Sequence, residues 1–265
     1  TFYLGGFLYF ALEIFLLAGD KLNINELKEA AAVSAVDFVK SGMVVGLGTG
    51  STTYFAIKEI AERIKDGRLK NIKGIPSSTQ TEKLAIEVGI KLVTFKEENF
   101  IDLTIDGADE VDINLNLIKG GGGALLREKI IAQASRRNLI IVDGSKLSQV
   151  VGTKWHLPIE VIPFALHLEM SYLRQLTGDP KIRKRKDGEN FLTDQNNFIV
   201  DCNFGKINDV NSLSLRLNDR AGIVEHGLFI GSVTDLIVAH KNGMAHFEKN
   251  KMPDEIFKFT GLIQR

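Results

Sequence analysis

A run of four glycines between a lysine and a glutamate is the segment of this sequence best suited to chemistry. Residues 119–129 read KGGGGALLREK. Four consecutive glycines cost folding entropy, and a loop whose backbone presses against a ligand is a reason to keep them. Lys119 can place a positive charge on a developing oxyanion. Glu128 lies about a turn and a half into the next predicted helix, on the side that could face the loop. A flexible hairpin carrying Lys119 and Glu128 is the alternative, and we expect the loop to be exposed.

A second loop of small residues, at positions 46–53, has the composition of an anion site. Its sequence GLGTGSTT lies between a predicted strand and a predicted helix. Backbone N–H groups and hydroxyls there can close around an anion at the positive end of the helix. A dinucleotide fingerprint would need glycine at Ser51 and an acid about twenty residues later, and a P-loop would need Gly-Lys-Ser/Thr. Neither condition is met. Three successive hydroxyls favour a phosphate monoester, with a plain tight turn as the alternative.

An acidic motif follows the predicted strand at 103–105. Residues 106–110 read DGADE. Carboxylates at the carboxyl end of a parallel strand point into the ligand crevice of such folds, which makes Asp106 and Asp109 candidates. A solvated acidic turn is the alternative. Residues 112–123 have part of the spacing of a calcium loop, but the required glycine and glutamate are missing, so we do not expect calcium there.

Two further lysines and five histidines complete the candidates. Lys146 follows the predicted strand at 139–142, again at the carboxyl end of a strand. Lys28 lies on the first predicted helix, where most lysines are merely solvated. The histidines show no metal-ligand spacing, so we predict that the protein has no metal site.

These motifs need a scaffold, and the hydrophobic pattern predicts strands that alternate with helices. The predicted strands are residues 43–47, 72–75, 91–95, 103–105, 139–142 and 236–239, and the predicted helices are residues 26–40, 53–65, 79–87 and 125–135. This alternation predicts an α/β fold with a mainly parallel, Rossmann-like sheet and helices on both faces.

The pattern changes between residues 156 and 229. Strands predicted at 159–164, 181–186, 198–203 and 223–229, with helices at 166–176 and 210–217, have the order β-α-β-β-α-β of a ferredoxin-like unit. We therefore expect an α/β catalytic domain formed by residues 21–155 and 230–265. A smaller α+β domain at residues 156–229 is inserted near the C-terminus.

Composition excludes several classes of protein. The 265 residues suffice for one large domain or two modest ones. The 33 basic and 33 acidic residues balance, so there is no basic field to hold nucleic acid, and we expect no nucleic-acid partner. Cys202 is the only cysteine, which excludes an internal disulfide and a thiolate zinc cluster. This fits a reducing compartment, and we predict a cytoplasmic location.

The first nineteen residues are almost wholly apolar, with Glu13 as the only charge. The run is just long enough to span a bilayer. However, no Lys or Arg flanks its start, and burying Glu13 in lipid would be costly. A misassigned gene start or an extra packed helix is the favoured interpretation, and a membrane anchor is the alternative. We treat residues 1–20 as an N-terminal extension and expect no membrane partner.

Taken together, the motifs resemble the type A family of ribose-5-phosphate isomerases. They are GLGTGST, IDGADEVD, IKGGGGALLREKI, VDGSKL and GIVEHGLF, and the resemblance covers about residues 24–250. It implies interconversion of D-ribose 5-phosphate and D-ribulose 5-phosphate through a cis-enediol(ate), in the pentose phosphate pathway, without a metal or an organic cofactor. It also implies an α/β domain with a small ferredoxin-like domain, and a homodimer or homotetramer.

The resemblance further implies individual roles. Glu128 matches the general base, and Asp106 matches an acid associated with ring opening. Asp109 and Lys119 match the groups that handle the sugar oxygens and the developing charge. The other matches are substrate contacts, with Ser51 and Thr52 on the phosphate: Lys28, Thr49, Gly50, Ser51, Thr52, Gly107, Ala108, Gly120, Gly121, Gly122 and Lys146.

Two rival hypotheses remain. A non-catalytic sugar-phosphate-sensing module of a transcriptional regulator would carry a helix-turn-helix, which the short apolar head cannot supply, and has no need for Glu128 and Lys119 together. A sister sugar-phosphate enzyme of similar fold, such as an amino-sugar-phosphate deaminase, would bring its own acid–histidine pair. The sequence shows no such pair near these loops.

Overall fold

The computed structural model of this chain describes residues 24–240 and 243–249, and the apolar extension 1–20 lies outside them. The helices described are α1 (Ile24–Val36), α2 (Ser51–Lys65), α3 (Thr79–Glu87), α4 (Leu125–Ala134), α5 (Leu166–Gln175) and α6 (Val210–Asn218). The strands are β1 (Val44–Leu47), β2 (Lys73–Pro76), β3 (Leu103–Asp106), β4 (Glu110–Val111), β5 (Leu117–Ile118), β6 (Asn138–Asp143), β7 (Leu157–Val161), β8 (Asp179–Ile182), β9 (Phe198–Asn203), β10 (Ile223–His226), β11 (Leu228–Phe229), β12 (Asp235–His240) and β13 (Gly243–Glu248).

A six-stranded sheet in the order β13-β12-β6-β3-β1-β2 forms the centre of the fold. Its neighbouring strands are parallel except for the β12–β13 hairpin. Successive side chains of a strand point to opposite faces. In β6, Leu139 and Ile141 join one apolar cluster, whereas Ile140 and Val142 join another. Burial on both faces explains the unbroken apolar runs in the sequence and confirms the predicted mainly parallel sheet.

Helices cover both faces of this sheet, as predicted. Helices α1 and α2 pack on the face of Leu139 and Ile141. On the other face, Ile131 of α4 packs against Val44 and Ile75 of neighbouring strands. A small three-stranded sheet, β11-β5-β4, packs beside it on that second face.

A second sheet has the antiparallel order β10-β7-β9-β8. Helices α5 and α6 pack on it around a cluster that includes the buried Cys202. The chain order β7-α5-β8-β9-α6-β10 is the ferredoxin-like arrangement that the sequence predicts. The domain boundaries at residues 156 and 229 stay a prediction.

Several predicted elements have different extents in the structure. The strands predicted at 159–164 and 181–186 are β7 (Leu157–Val161) and β8 (Asp179–Ile182). Residues 91–95 do not form a strand, because only Leu92 pairs with Gly74, through a single bridge. The first helix ends at Val36 rather than near Lys40. Among the helices described, none is long and apolar enough to cross a membrane.

The predicted strand at 223–229 divides at Gly227 and serves two sheets. Its first half, β10, pairs with β7, and its second half, β11, pairs with β5. A Cβ at Gly227 would lie 2.3 Å from the carbonyl oxygen of Lys119, so only glycine fits at this crossing point. The sequence patterns predict neither β13 nor the three-stranded sheet. Two strands of that sheet, β4 and β5, are two residues long and have no alternating run of their own.

Candidate active site

The carboxyl edge of the central sheet brings the GLGTGSTT loop and the DGADE motif into contact. Because Leu47 pairs with Ile105, Gly48 lies beside Asp106, and a Cβ at Gly48 would be 2.3 Å from Asp106 Oδ1. That carboxylate oxygen accepts hydrogen bonds from the backbone N–H groups of Gly107, at 2.7 Å, and Thr49, at 3.2 Å. The glycine is therefore required by the close approach of the carboxylate.

Lys119 is buried between two carboxylates, with 3% of its side chain exposed. Its Nζ lies 2.9 Å from Asp106 Oδ2 and 3.2 Å from Glu128 Oε1, and it donates to the carbonyl oxygen of Gly107 at 2.6 Å. Burial lowers the pKa of Lys119, but the charges of Asp106 and Glu128 outweigh it, so the pKa is raised above its ordinary value. The expectation that the loop is exposed is therefore wrong for Lys119 at its start.

Glu128 is buried in the first turn of α4, nearer the helix start than the predicted turn and a half. Its Oε2 is buried, and no described residue donates a hydrogen bond to it. Burial raises the pKa of Glu128 to about 8; Lys119 lowers it, whereas the charges of Asp106 and Asp109 raise it. A buried carboxyl with a free oxygen and a pKa near neutrality is suited to take up and return a proton.

The four-glycine loop holds Asp109, the third carboxylate of the site. The backbone N–H of Gly121 donates to Asp109 Oδ2 at 2.7 Å. A Cβ at Gly121 would lie 2.6 Å from Asp109 Oδ1. Gly120 is buried, Gly121 is half-buried and Gly122 is exposed, so the loop connects the buried cluster to solvent.

The GLGTGSTT loop lies at the same edge and leads into α2, which begins at Ser51, two residues earlier than predicted. Its N-cap, Gly50, supplies no side-chain cap. Ser51 is exposed and accepts a hydrogen bond from Lys28 Nζ at 2.9 Å, while Thr52 is half-buried. The helix start thus combines free N–H groups, two hydroxyls and an ammonium, which together suit an anion.

Three buried hydroxyls that the sequence analysis missed surround Thr49. Thr49 Oγ1 lies 2.8 Å from Ser77 Oγ, 2.8 Å from Ser78 Oγ and 3.1 Å from Thr81 Oγ1. Ser77 and Ser78 directly follow β2. The rule that carboxyl ends of parallel strands meet at one edge applies to them as it does to Asp106 and could have found them.

The remaining predicted residues lie around this cluster. Gly107 supplies a carbonyl to Lys119, and Ala108 packs against the apolar cluster under the three-stranded sheet. Lys146 follows β6, and its Nζ lies 5.1 Å from the centre of the Trp155 ring. No contact between Lys146 and the cluster of Asp106, Lys119 and Glu128 is seen in the described part of the chain.

No group of three or more His, Cys, Asp or Glu side chains that could hold a metal ion occurs within residues 24–240 and 243–249.

The raised pKa of Glu128 predicts how stability depends on pH. The folded state keeps this proton up to about pH 8, whereas an unfolded glutamate loses it near 4.5. The contribution of this proton to the free energy of unfolding is therefore complete below pH 4.5. It falls by about 1.4 kcal/mol per pH unit as the pH rises to 8. Gln does not titrate. The melting temperature of Glu128→Gln minus that of the wild type should therefore rise between pH 5.5 and pH 8.5. Melting curves at equal concentration measure this, and a difference independent of pH would contradict it.

Comparison with known proteins places this site in context. A family model described as ribose 5-phosphate isomerase A (phosphoriboisomerase A) matches residues 73–243. Ribose-5-phosphate isomerase A of Desulfatibacillum aliphaticivorans is 54% identical over 220 residues, which are 83% of this chain and 96% of that protein.

Solved structures give the same result. A D-ribose-5-phosphate isomerase in complex with phospho-erythronic acid is 38% identical, with a TM-score of 0.84 over 86% of this chain and 100% of that chain. The ribose 5-phosphate isomerase of Plasmodium falciparum is 40% identical, with a TM-score of 0.82 over 84% of this chain and 98% of that chain.

Proposed function

This chain belongs to the ribose 5-phosphate isomerase A family, and we propose that Glu128, Lys119 and Asp106 form the catalytic centre of its reaction. The protein is an aldose–ketose isomerase that interconverts D-ribose 5-phosphate and D-ribulose 5-phosphate. One observation carries the assignment of the centre: Glu128 is a buried carboxyl with a raised pKa and an unpaired oxygen, held against the ammonium of Lys119.

Glu128 is the base in this proposal. Its Oε2 takes the proton from C2 of the open-chain aldose, the C–H electron pair forms the C1–C2 double bond, and the carbonyl electrons move to O1. The same carboxyl then returns the proton to C1, and the C2 oxygen becomes the new carbonyl as its hydroxyl proton passes to O1. General acid–base help of this kind contributes roughly a hundred- to ten-thousand-fold.

Lys119 and Asp109 handle the charge that develops on the sugar oxygens. The Lys119 ammonium is 3.2 Å from Glu128 Oε1, so a substrate oxygen beside the carboxyl lies within its reach. A positioned donor of this kind in a water-poor site is worth about 3 kcal/mol to the transition state. Asp109 is oriented by the glycine loop toward the same sugar and accepts hydrogen bonds from its hydroxyls.

Asp106 acts before isomerisation, on the ring form of the sugar. Both of its oxygens already accept from donors, namely Lys119 Nζ and the N–H groups of Thr49 and Gly107. A carboxylate held in this way can accept the proton of the anomeric hydroxyl as the ring C–O bond breaks, and can then give that proton to the released ring oxygen. The same ion pair keeps Lys119 directed at the reacting carbons.

The phosphate binds at the start of α2, remote from the proton transfer. Free N–H groups of the helix, the hydroxyls of Ser51 and Thr52, and the ammonium of Lys28 supply the donors there. Lys146, at the same sheet edge, is a further cation for this end of the substrate. A structure of a family member holds phospho-erythronic acid, a phosphorylated sugar acid whose carboxylate resembles the planar, charged enediolate.

Thr52→Val should weaken substrate binding without changing the chemical step. The substitution removes one hydroxyl and keeps the shape of the side chain, so we expect KM for ribose 5-phosphate to rise about tenfold at nearly constant kcat. The inhibition constant of inorganic phosphate should rise by the same factor, because both depend on the same anion site. Unchanged values of both constants would remove Thr52 from the phosphate site.

The function is tested by forming ribulose 5-phosphate from ribose 5-phosphate in the presence of EDTA. We expect full activity with the chelator and no deamination of glucosamine 6-phosphate. Loss of activity with EDTA would contradict metal-independent chemistry. Binding of phosphosugars without turnover would favour a sensing module, and turnover of glucosamine 6-phosphate would favour a sister enzyme.

A cytoplasmic location and a homodimer or homotetramer complete the proposal. The location follows from the single, buried Cys202, which fits a reducing compartment. Sedimentation equilibrium of the full chain tests the assembly, and a monomer at micromolar concentration would contradict it.

A further inference from the structure

The second sheet reaches the four-glycine loop through one arginine. Arg183 directly follows β8, and its Nη1 donates to the carbonyl oxygens of Gly120, at 2.8 Å, and Gly121, at 3.0 Å. Its Nε donates to Asp201 Oδ2 at 2.8 Å, and its Nη2 pairs with Asp201 Oδ1. The Arg183 side chain is 14% exposed. One planar guanidinium therefore joins a strand of the second sheet to two successive carbonyls of the loop.

This contact continues to the proposed site. The Gly121 whose carbonyl faces Arg183 is the residue whose N–H orients Asp109. Lys119 immediately precedes the same loop. A shift of the Gly120–Gly121 peptides would therefore move the Asp109 hydrogen bond and the anchor of Lys119 together.

Residues 183–191 form a hairpin after β8, closed by a bridge between Lys184 and Asn190, and a phenylalanine of this hairpin supports the other end of the loop. Gly123 has a φ of 79°, and a Cβ there would lie 2.3 Å from Phe191 Cε1. The Arg183 guanidinium lies 5.8 Å from the centre of the Phe191 ring. The hairpin after β8 thus contacts the loop at both ends, and Arg183 makes the directional contacts.

We propose that Arg183, held by Asp201, is a positioning residue that keeps the Gly120–Gly121 backbone in its catalytic conformation. It touches neither the substrate nor the reacting atoms. This inference rests on the proposed function, and it makes the second sheet a part of the catalytic apparatus. A loop that carries four glycines has little conformational preference of its own. A hydrogen-bond donor outside the loop must therefore fix its backbone conformation.

The test compares Arg183→Met with Arg185→Met in the ribose 5-phosphate assay. Arg185 lies two residues along the same hairpin and pairs with Asp187, and both of these side chains are more than half exposed.

We expect Arg183→Met to lower kcat about 100-fold, since small misplacements of reacting groups cost this much. KM should change by less than about threefold, because the phosphate site lies on α2. Affinity for phospho-erythronic acid should fall, and inhibition by inorganic phosphate should not. Arg185→Met should match the wild type.

Two further variants separate positioning from folding. Arg183→Lys keeps the charge opposite Asp201, but one ammonium cannot hold both carbonyls and the carboxylate in the same geometry. It should recover most of the melting temperature and less than about a tenth of kcat. Asp201→Asn keeps the arginine, weakens its anchor, and should lower kcat at constant KM even where Arg183→Met does not fold.

The outcomes distinguish this inference from the proposed function. A wild-type kcat in Arg183→Met or in both Arg183→Lys and Asp201→Asn would overturn the positioning role, as would kcat losses matched by equal rises in the phosphate inhibition constant. An inactive wild type would instead overturn the proposed function. If the wild type is active and Glu128→Gln is inactive, the proposed function stands. A wild-type kcat in the Arg183 variants then contradicts only the positioning role.

Discussion

Glu128→Gln should lower the rate of ribulose 5-phosphate formation by about a thousandfold or more. The amide has nearly the shape of the carboxyl but cannot accept the C2 proton. Its carbonyl can still accept from Lys119 in place of Oε1, so the neighbouring ammonium keeps a partner. The loss should therefore fall on kcat. The assay follows ribulose 5-phosphate in the presence of EDTA, with wild type and variant at equal concentration.

Two measurements show whether the loss is chemical. In deuterium oxide the wild type should exchange the C2 hydrogen with solvent, and Glu128→Gln should not. Affinity for phospho-erythronic acid should stay within about tenfold of the wild type, because the phosphate site and the glycine loop are intact. Near-normal turnover, or normal exchange, would remove Glu128 from the role of base.

Glu82→Gln is the matched control. Glu82 occupies the first turn of α3 as Glu128 occupies the first turn of α4, but it is exposed and outside the cluster. Its loss removes a carboxylate from the start of a helix without touching Lys119 or Asp106. Activity should stay at the wild-type level.

Lys119→Met should lower both activity and stability. Removal of the ammonium takes away the donor for the developing oxyanion, which costs roughly a hundred- to a thousandfold in kcat. It also leaves Asp106 and Glu128 buried without their shared cation, a change that typically costs about 3–5 kcal/mol. The stability loss should shrink at low pH, where Glu128 binds a proton. Steady-state kinetics and melting curves at pH 6 and pH 9 measure the two effects.

Lys129→Met separates the two effects of that prediction. Lys129 is also largely buried, pairs with Glu225 at 2.6 Å, and contacts the same Phe229 ring from 4.9 Å. Lys119 lies 5.5 Å from that ring. Lys129→Met should therefore destabilise the fold while kcat per folded protomer stays near the wild-type value. A similar kcat loss in both variants would indicate that Lys119 acts only through folding.

Much of the site was predictable because its residues lie in short local motifs. Asp106 ends a buried apolar strand, and Lys119 and Glu128 flank a run of four glycines, whose entropic cost favours a backbone that presses against a ligand. The carboxyl ends of parallel strands meet at one edge, so the GLGTGSTT loop after β1 and the DGADE motif at the end of β3 lie together. The order of strands and helices in and around the second sheet was predictable for the same reason, since each element has its own periodicity.

The burial of Lys119 was not predictable from its motif. A lysine beside glycines is exposed in most loops, and here it is buried because β5 pairs with β11, which comes 110 residues later in the chain. That pairing bonds the Lys119 N–H to the carbonyl of Gly227 and places the side chain among Asp106, Glu128 and Phe229. Strands of two residues leave no pattern that a sequence can reveal.

The sequence alone determined the fold class, the phosphate-suited loop and the set of acids and lysines, because these depend on neighbours in the chain. Only the tertiary structure decided that Asp106 and Glu128 share one buried ammonium, and that burial, together with the charges of Asp106 and Asp109, raises the pKa of Glu128. It also decided that Arg183 holds the glycine loop from 63 residues away. The physical reason is the same in both cases. Burial and charge act through space, and the partners that set them are brought together only when the sheets pair and pack.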